Sequence, residues 1–321
     1  MPTHPKTKQD FLGFCQTHLD LCDDVSIDTD TMERFASSLE KSERAAACTR
    51  GINTQPFNKL WPDIFDMVVN TSNDCGSYDL KEGQLRHWAI DGSGSKAMES
   101  FFAELRMHSL LPDAHARNLY SPALINAMKG KPYADLRLRI LAEIFDPQKT
   151  AKLKTLFRRA VEYKSRFDYE GCLELTALYP LGFGEDPFLK KAFLVSILLD
   201  TLLTDGEGGT RPDIALAADF RVAQTLHNIG ILTFSPALVE ALESSTIFNK
   251  DSQRVNAIRA ASILAADKIL EIRPDLTLPA LDYQLWSAGR DTKKLIALRE
   301  QFGNHNPHLT TKPMIALTMR F

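Results

Sequence analysis

Apolar residues recur every three or four positions along most of the chain, a spacing that predicts a mainly α-helical fold. A first helix presents an apolar face formed by Phe11, Phe14, Cys15, His18 and Cys22. Asp30 is predicted to cap the next helix, because a side-chain oxygen at a helix start accepts hydrogen bonds from its free N–H groups. The apolar stretch at residues 192–203 is shorter than the roughly 20 residues that span a membrane. We therefore expect a buried helix there and no membrane partner.

Residues 134–179 carry the helical pattern without a long break. One helix in this region has an apolar face formed by Leu153, Leu156, Phe157 and Ala160. The other side is basic and carries Lys149, Lys152, Lys154, Arg158, Arg159 and Lys164. Such a face is typical of a solvated helix surface, although a basic helix is also able to contact phosphate.

Strand patterns are few and lie at residues 84–90 and 314–321, where apolar and polar residues nearly alternate between turn-forming residues. We expect these two strands to pair into a small β element that joins the N-terminal half to the C-terminus. The whole chain, residues 1–321, is predicted to form a single domain. A division into subdomains at residues 1–130 and 131–321 is compatible with the same pattern.

Composition indicates a globular protein that acts on a small molecule. The 321 residues include 44% hydrophobic and 25% charged residues, and the net charge is −3. Proteins that hold a long phosphate backbone usually carry a basic excess, so we expect no stable nucleic-acid partner. The five cysteines are odd in number and form no C-x-x-C pair, and the N-terminus has no apolar signal core, which together favour a cytoplasmic protein with reduced thiols.

General catalytic signatures are missing from the sequence. The glycine-rich string at residues 206–209 (GEGG) lacks the Lys and Ser/Thr of a phosphate-binding loop and predicts a surface turn. His305 and His308 have no clustered acidic or thiol partner, so we predict no metal site. The residue pattern by itself therefore predicts a helical protein without assigning a reaction.

Four strings follow one another in the second half of the chain, at residues 188–192 (FLKKA), 218–224 (ADFRVAQ), 258–262 (IRAAS) and 281–286 (LDYQLW). Their order and spacing resemble the queuosine salvage family. The resemblance is strong from about residue 186 to the C-terminus and weaker down to about residue 25. It implies a fold similar to that of helical DNA glycosylases.

The resemblance also implies an activity, the hydrolysis of the N-glycosidic bond of queuosine 5′-monophosphate or a related modified nucleotide. The product is queuine, which is salvaged into tRNA, and the reaction requires no cofactor or metal. The ribose becomes positively charged as the base leaves, so a carboxylate beside the anomeric carbon is needed. Asp219 matches the family position with that role, and Lys190 matches a supporting lysine.

Both residues also have structural interpretations. Asp219 precedes a helical run and is placed to cap it, a role that is compatible with catalysis. Lys190 could instead be a solvated side chain beside Lys191 at a helix start.

Five further residues are candidates for substrate binding. Asp282 and Trp286 are four residues apart, which places them on one face of a helix, where they could bind and stack on a deazaguanine. The alternative is a buried Trp with a structural Asp. The set also includes Arg221 from the second string, Tyr78 from a reduced aromatic string near the N-terminus, and Arg259. For Arg259 the alternative is an ion pair within the fold.

The sequence departs from the family at four positions, Phe193, Ala217, Ala257 and Ser287, where Gln, Phe, Glu and a second acid are usual. We expect these changes to affect the choice of substrate more than the fold. Two other functions therefore stay open. One is a protein of the same fold that binds a modified base or nucleotide without cleaving it, and the other is a helical interaction module.

Overall fold

The computed structural model describes residues 4–39, 56–73, 78–81, 84–87, 95–111, 121–131, 133–162, 167–204, 213–249, 251–304 and 315–316. Within these ranges the fold is mainly α-helical, as the apolar spacing predicted. None of the described helices is both long and apolar enough to cross a membrane. The motifs at residues 206–209 and 305–308, and Lys164, lie outside the described residues.

The helices, in chain order, are α1 (Lys8–Asp20), α2 (Thr29–Ser38), α3 (Phe57–Asn73), α4 (Ser95–Met107), α5 (Pro122–Met128), α6 (Ala134–Ile144), α7 (Pro147–Glu162), α8 (Tyr169–Leu178), α9 (Lys190–Thr204), α10 (Phe220–Ile229), α11 (Pro236–Glu243), α12 (Gln253–Ile272), α13 (Leu278–Gly289) and α14 (Thr292–Gln301). A π-helical turn, Pro180–Gly184, lies between α8 and α9. The strands are β1 (Val25–Ile27), β2 (Tyr78–Lys81), β3 (Gln84–His87), β4 (Leu232–Phe234), β5 (Ile247–Phe248) and β6 (Ile315–Ala316).

The described strands form three two-stranded sheets. Strand β1 pairs with β4 and β2 with β3, both antiparallel, while β5 and β6 are parallel. The prediction that the strands at residues 84–90 and 314–321 pair with each other is wrong. Strand β3 pairs instead with β2, which lies just before it in the chain, and closing so short a loop costs little entropy.

Two compact units make up the chain. Among the described residues, unit 1 contains those between 56 and 199, and unit 2 contains residues 4–39 and those between 200 and 316. The domain organisation inferred from the sequence stays a prediction, and the described N-terminal segment, residues 4–39, belongs to unit 2. There α1 packs on α12 and β1 pairs with β4, so elements distant in sequence share one core.

Helix α12 lies at the centre of unit 2, where it packs against α1, α2, β1 and α10. Small residues on it are fully buried, namely Ala257, Ala260, Ala261, Ser262, Ala265 and Ala266. Because such short side chains keep neighbouring backbones close together, α12 accommodates several partners around its circumference.

Helix α2 begins two residues earlier than predicted. Its cap is Asp28, whose side chain accepts a hydrogen bond from the Thr31 N–H at 2.7 Å. Asp30 lies in the first turn and is exposed, where its charge favours the positive end of the helix dipole. Since β1 ends at Ile27 and α2 begins at Thr29, Asp28 is the last residue with the extended backbone that a cap needs.

In unit 1 the predicted apolar face of α7 is buried, and its basic face lies partly on aromatic rings of α3. Lys154 lies 5.7 Å from the ring centre of Trp61, and Arg158 lies 5.3 Å from that of Phe57. Arg159 pairs with Glu174 at 2.7 Å. These contacts account for much of the basic face as part of the fold.

Replacing Gly289 by Ala should destabilise unit 2. A Cβ at this position would lie 2.5 Å from the backbone oxygen of Arg221, which cannot move without shifting α10. We expect the free energy of unfolding, measured with urea, to fall by about 1–3 kcal/mol. Gly13→Ala is the matched control, since a Cβ there has no neighbour within 4 Å. It should stabilise α1 by about 0.5–1 kcal/mol, and equal losses for both variants would contradict the close contact.

His227 should make stability depend on pH. Burial lowers the pKa of His227 from 6.5 to about 4. The unfolded chain therefore binds the proton more tightly, so stability present above pH 6.5 is lost as the pH falls toward 4, by about 3 kcal/mol in total. Urea unfolding across this range should show a shallower pH dependence for His227→Gln than for the wild type. An equally steep dependence in the variant would assign the effect to other groups.

Candidate functional site

Asp219 caps α10, as predicted. A buried segment, residues 214–218, leads into it, and the backbone of Asp219 is extended (φ −108°, ψ 170°). Its Oδ1 accepts hydrogen bonds from the N–H groups of Arg221 and Val222, at 2.7 and 3.2 Å. The carboxylate is thereby held in one orientation at the positive end of the helix dipole, where a negative charge is stabilised.

The Arg221 side chain ties the start of α10 to the end of α13. Its Nη1 donates to the Gly289 carbonyl at 3.1 Å and to the Gln224 side-chain oxygen at 3.2 Å. One turn later, the Thr225 hydroxyl donates to the Leu285 carbonyl at 2.7 Å. The two pairings run in opposite chain directions, so α10 and α13 are antiparallel, and the end of α13 lies beside Asp219.

Asp282 and Trp286 lie on α13, half-buried and on one face, as predicted. The Arg290 guanidinium lies 4.7 Å from the Trp286 ring centre. The register of the two helices places Trp286 opposite Gln224, at the start of the second turn of α10. Asp282 is seven residues before Gly289 along α13, a rise of roughly 10 Å. Asp219 is therefore level with the end of α13, whereas Trp286 lies roughly 7 Å farther along the helix axis and Asp282 farther still.

Arg259 is buried in the middle of α12, with 3% of its surface exposed. Its charge acts on Cys15 of α1, where it partly offsets the rise in the thiol pKa that burial causes. This location agrees with the structural interpretation of Arg259, since a side chain in the core between helices has little surface for a substrate.

In unit 1, Lys190 is the first residue of α9, and its backbone N–H donates to the Asp186 carboxylate at 2.9 Å. Only 6% of Lys190 is exposed, and its neighbour Lys191 is 3% exposed. The Lys191 amine donates to the carbonyls of Ser72 and Gly182, at 2.7 and 3.1 Å. The interpretation of Lys190 as a solvated side chain is therefore wrong.

Backbone strain also marks this position. Leu189 has φ +56°, a left-handed conformation that costs a residue with a side chain about 1–3 kcal/mol and is concentrated at functional sites. Asp186, which holds the turn, was missed by the sequence analysis. The Asp-Pro dipeptide ahead of the helix, a common turn signal, could have indicated it. Tyr78 lies in β2, and its side chain is outside the described part of the chain.

The four departures from the family differ in their surroundings. Phe193 and Ala257 are fully buried, so these two act on packing, contrary to the expectation that they affect substrate choice. Ala217, two residues before Asp219, is also buried. Ser287, next to Trp286, is half-buried and donates to the Gln284 carbonyl at 3.2 Å. Ala217 and Ser287 therefore adjoin the candidate site residues of unit 2.

Residues 210–312 match the model of a protein family, described as queuosine salvage protein. The match confirms the resemblance seen in the sequence motifs and supports a role in queuosine salvage. It includes Asp219, Arg221, Arg259, Asp282 and Trp286, while Lys190 and Tyr78 lie outside it. No curated protein matches the chain. Among the described residues, no group of three His, Cys, Asp or Glu side chains is placed to hold a metal ion.

The capping role of Asp219 predicts how substitutions affect stability. Asp219→Ala removes both hydrogen bonds to Oδ1 and should lower the free energy of unfolding by about 1 kcal/mol. Asp219→Asn keeps an acceptor oxygen and should lower the free energy of unfolding by only a few tenths of a kcal/mol. Asp291 caps α14 in the same way, through Oδ1 and two N–H groups, so Asp291→Ala and Asp291→Asn form a matched pair. If Ala and Asn were equally destabilising at position 219, the cap would not be what Asp219 contributes.

Proposed function

We propose that the protein is an N-glycosidase that hydrolyses queuosine 5′-monophosphate, or a closely related nucleotide, and releases queuine, because residues 210–312 match the queuosine salvage protein family model. The observation that supports the proposal best is the fixed carboxylate of Asp219. This residue lies within the range that matches the family model and is oriented by hydrogen bonds from two N–H groups. The end of α13, which carries Trp286, lies beside it.

The chemistry assigns Asp219 a definite task. The glycosidic C–N bond breaks, its electron pair leaves with the base, and the base takes up a proton. Water then adds to the anomeric carbon and loses a proton. The ribose passes through a positively charged state. A carboxylate that the fold already holds in place stabilises this charge without any rearrangement of the protein during the reaction. Both cap bonds go to Oδ1, so the second oxygen takes no part in the cap.

The other candidates receive different roles. Lys190, in the strained turn at the start of α9, stays a proposed catalytic residue, and Trp286 and Asp282 are proposed to bind the base. Arg221 is assigned to positioning rather than substrate contact, because its guanidinium holds the Gly289 carbonyl. Arg259 is assigned to the core. Tyr78 stays a proposed contact, and hydrolysis of this kind needs no cofactor.

A second candidate function is binding of a modified nucleotide without cleavage. The departures at Ala217 and Ser287 favour it, since both adjoin the candidate residues and neither supplies the aromatic or acidic group that is usual in the family. The interaction module is supported less, because Lys154 and Arg158 of α7 already lie on aromatic rings.

The decisive experiment compares wild type, Asp219→Asn and Asp291→Asn in a hydrolysis assay. Purified proteins are incubated with queuosine 5′-monophosphate, its dephosphorylated nucleoside and guanosine monophosphate, and free base is measured by chromatography. We expect wild type and Asp291→Asn to release queuine from the monophosphate. Asp219→Asn should be at least about 100-fold slower, because it retains the cap but loses the charge.

Equilibrium binding separates the remaining outcomes. Tight binding of the monophosphate by folded wild type, without release of base, would contradict the glycosidase function and support the function of a nucleotide-binding protein. Full activity in Asp219→Asn would remove Asp219 from the chemistry. Loss of activity in Asp291→Asn as well would show that the helix caps, rather than the charge at position 219, explain the effect.

A further inference from the structure

A small pocket of about 160 Å³ lies in unit 2, at the opposite end of α10 from Asp219. Its walls come from the start of α2, the turn between α10 and β4, and the residues at the end of α14. An engineered protein cavity of similar volume holds one benzene molecule, so the pocket has room for a ligand of about six non-hydrogen atoms.

His227 lines this pocket and carries a buried nitrogen without a partner. Its Nδ1 donates to the Leu232 carbonyl at 2.9 Å, because a carbonyl only accepts hydrogen bonds. In the neutral ring Nε2 therefore holds a lone pair, and burial lowers the pKa of His227 to about 4, which keeps the ring neutral at pH 7. Nε2 is buried and accepts no hydrogen bond from the described residues, and His227 is 1% exposed. An unpaired buried acceptor costs free energy, so a ligand that donates to Nε2 removes that cost.

Two side chains of opposite charge line the same pocket. Asp28 caps α2 through Oδ1, which accepts from the Thr31 N–H at 2.7 Å, and its second oxygen takes no part in the cap. The Thr31 hydroxyl accepts from Nη2 of Arg34 at 3.0 Å, so the guanidinium is also oriented. Asp28 and Arg34 are exposed, and within the described ranges no ion pair neutralises either of them. The pocket thus offers a negative and a positive group that are held by the same turn.

The wall formed by Asn304 is bound to the backbone of α10. Its side-chain amide donates to the carbonyls of His227 and Asn228, at 3.3 and 3.1 Å. Gly230 has a left-handed backbone (φ +97°), and a Cβ there would lie 2.9 Å from Nδ2 of Asn304. The glycine therefore lets Asn304 close over the end of α10. A wall that is already fixed lowers the cost of ordering the site when a ligand binds.

We propose that this pocket binds a small free α-amino acid with a side chain no larger than that of serine. The ammonium group of the ligand donates to Nε2 of His227 and to the carboxylate of Asp28, and its carboxylate accepts from Arg34. A zwitterion meets the opposite charge at both Asp28 and Arg34, whereas a ligand with a single charge leaves one of them uncompensated. This site is separate from the proposed hydrolysis.

The test is isothermal titration calorimetry of the full-length protein with glycine, alanine and serine. We expect saturable binding of at least one of them, with a dissociation constant at or below about 1 mM. Glycine betaine keeps both charges but has no N–H group to offer His227, and it should bind at least about tenfold more weakly. Propionate and ethylamine, which each carry one of the two charges, should be weakened by a similar factor.

Variants test the side chains that are assigned to the ligand. His227→Asn keeps a donor for the Leu232 carbonyl in the place of Nδ1 but removes Nε2, so it should bind the amino acid at least about tenfold more weakly. Asp28→Asn keeps a cap for α2 but loses the charge, and it should weaken binding by a similar factor. Asp30→Asn is the matched control and should bind as the wild type does, because Asp30 is exposed in the first turn of α2 and does not line the pocket.

Three results would overturn the proposal. They are the absence of saturable binding at millimolar amino acid, binding of betaine or propionate as tight as that of the amino acids, and unchanged affinity in either the His227→Asn or the Asp28→Asn variant. A urea unfolding curve shows whether each variant is folded, and Asp28→Asn decides the matter if His227→Asn is not. These titrations contain no nucleotide, so their outcome does not depend on the proposed hydrolysis.

Discussion

The close approach of the Gly289 and Arg221 backbones is the constraint on which the candidate site of unit 2 depends. A side chain at position 289 would not fit, so α10 and α13 meet without a spacer. The Arg221 guanidinium and the Thr225 hydroxyl then bind α13 carbonyls one turn apart. Together these contacts fix the register of α13 on α10, which places the end of α13 level with Asp219 and Trp286 one to two turns farther along.

Polar groups bound to backbone atoms also shape unit 1, at the start of α9. The Lys191 amine is nearly fully buried and bonds to two carbonyls, one from the end of α3 and one from the π-helical turn. The carbonyl end of a helix favours a cation, which offsets part of the cost of burying the charge. Asp186 binds the N–H groups of Phe188 and Lys190 in the same region. Lys190 therefore projects from a turn whose backbone is bound on both sides.

Helix α12 supports two separate surfaces of unit 2. The alanine-rich face of α12 lets α1 and α10 pack closely around it. One flank of this arrangement supports α10 and with it the fixed carboxylate of Asp219. Another flank, with α1, α2 and β1, lines a groove that is rich in carboxylates. The central helix α12 thus supports α10 and the walls of this groove through separate neighbours.

Short-range features of this protein followed from its sequence, and features set by distant parts of the chain did not. The helices and the cap at Asp219 depend on residues within one turn, so apolar spacing and capping chemistry predicted them. The cap at Asp28 was assigned two residues too late, because the preceding strand β1 is recognisable only through its partner β4. The strand pairs, the burial of Lys190 and the core positions of Phe193 and Ala257 likewise required the tertiary structure. Pairing and burial depend on which distant surfaces meet, and the order of residues along the chain does not specify those contacts.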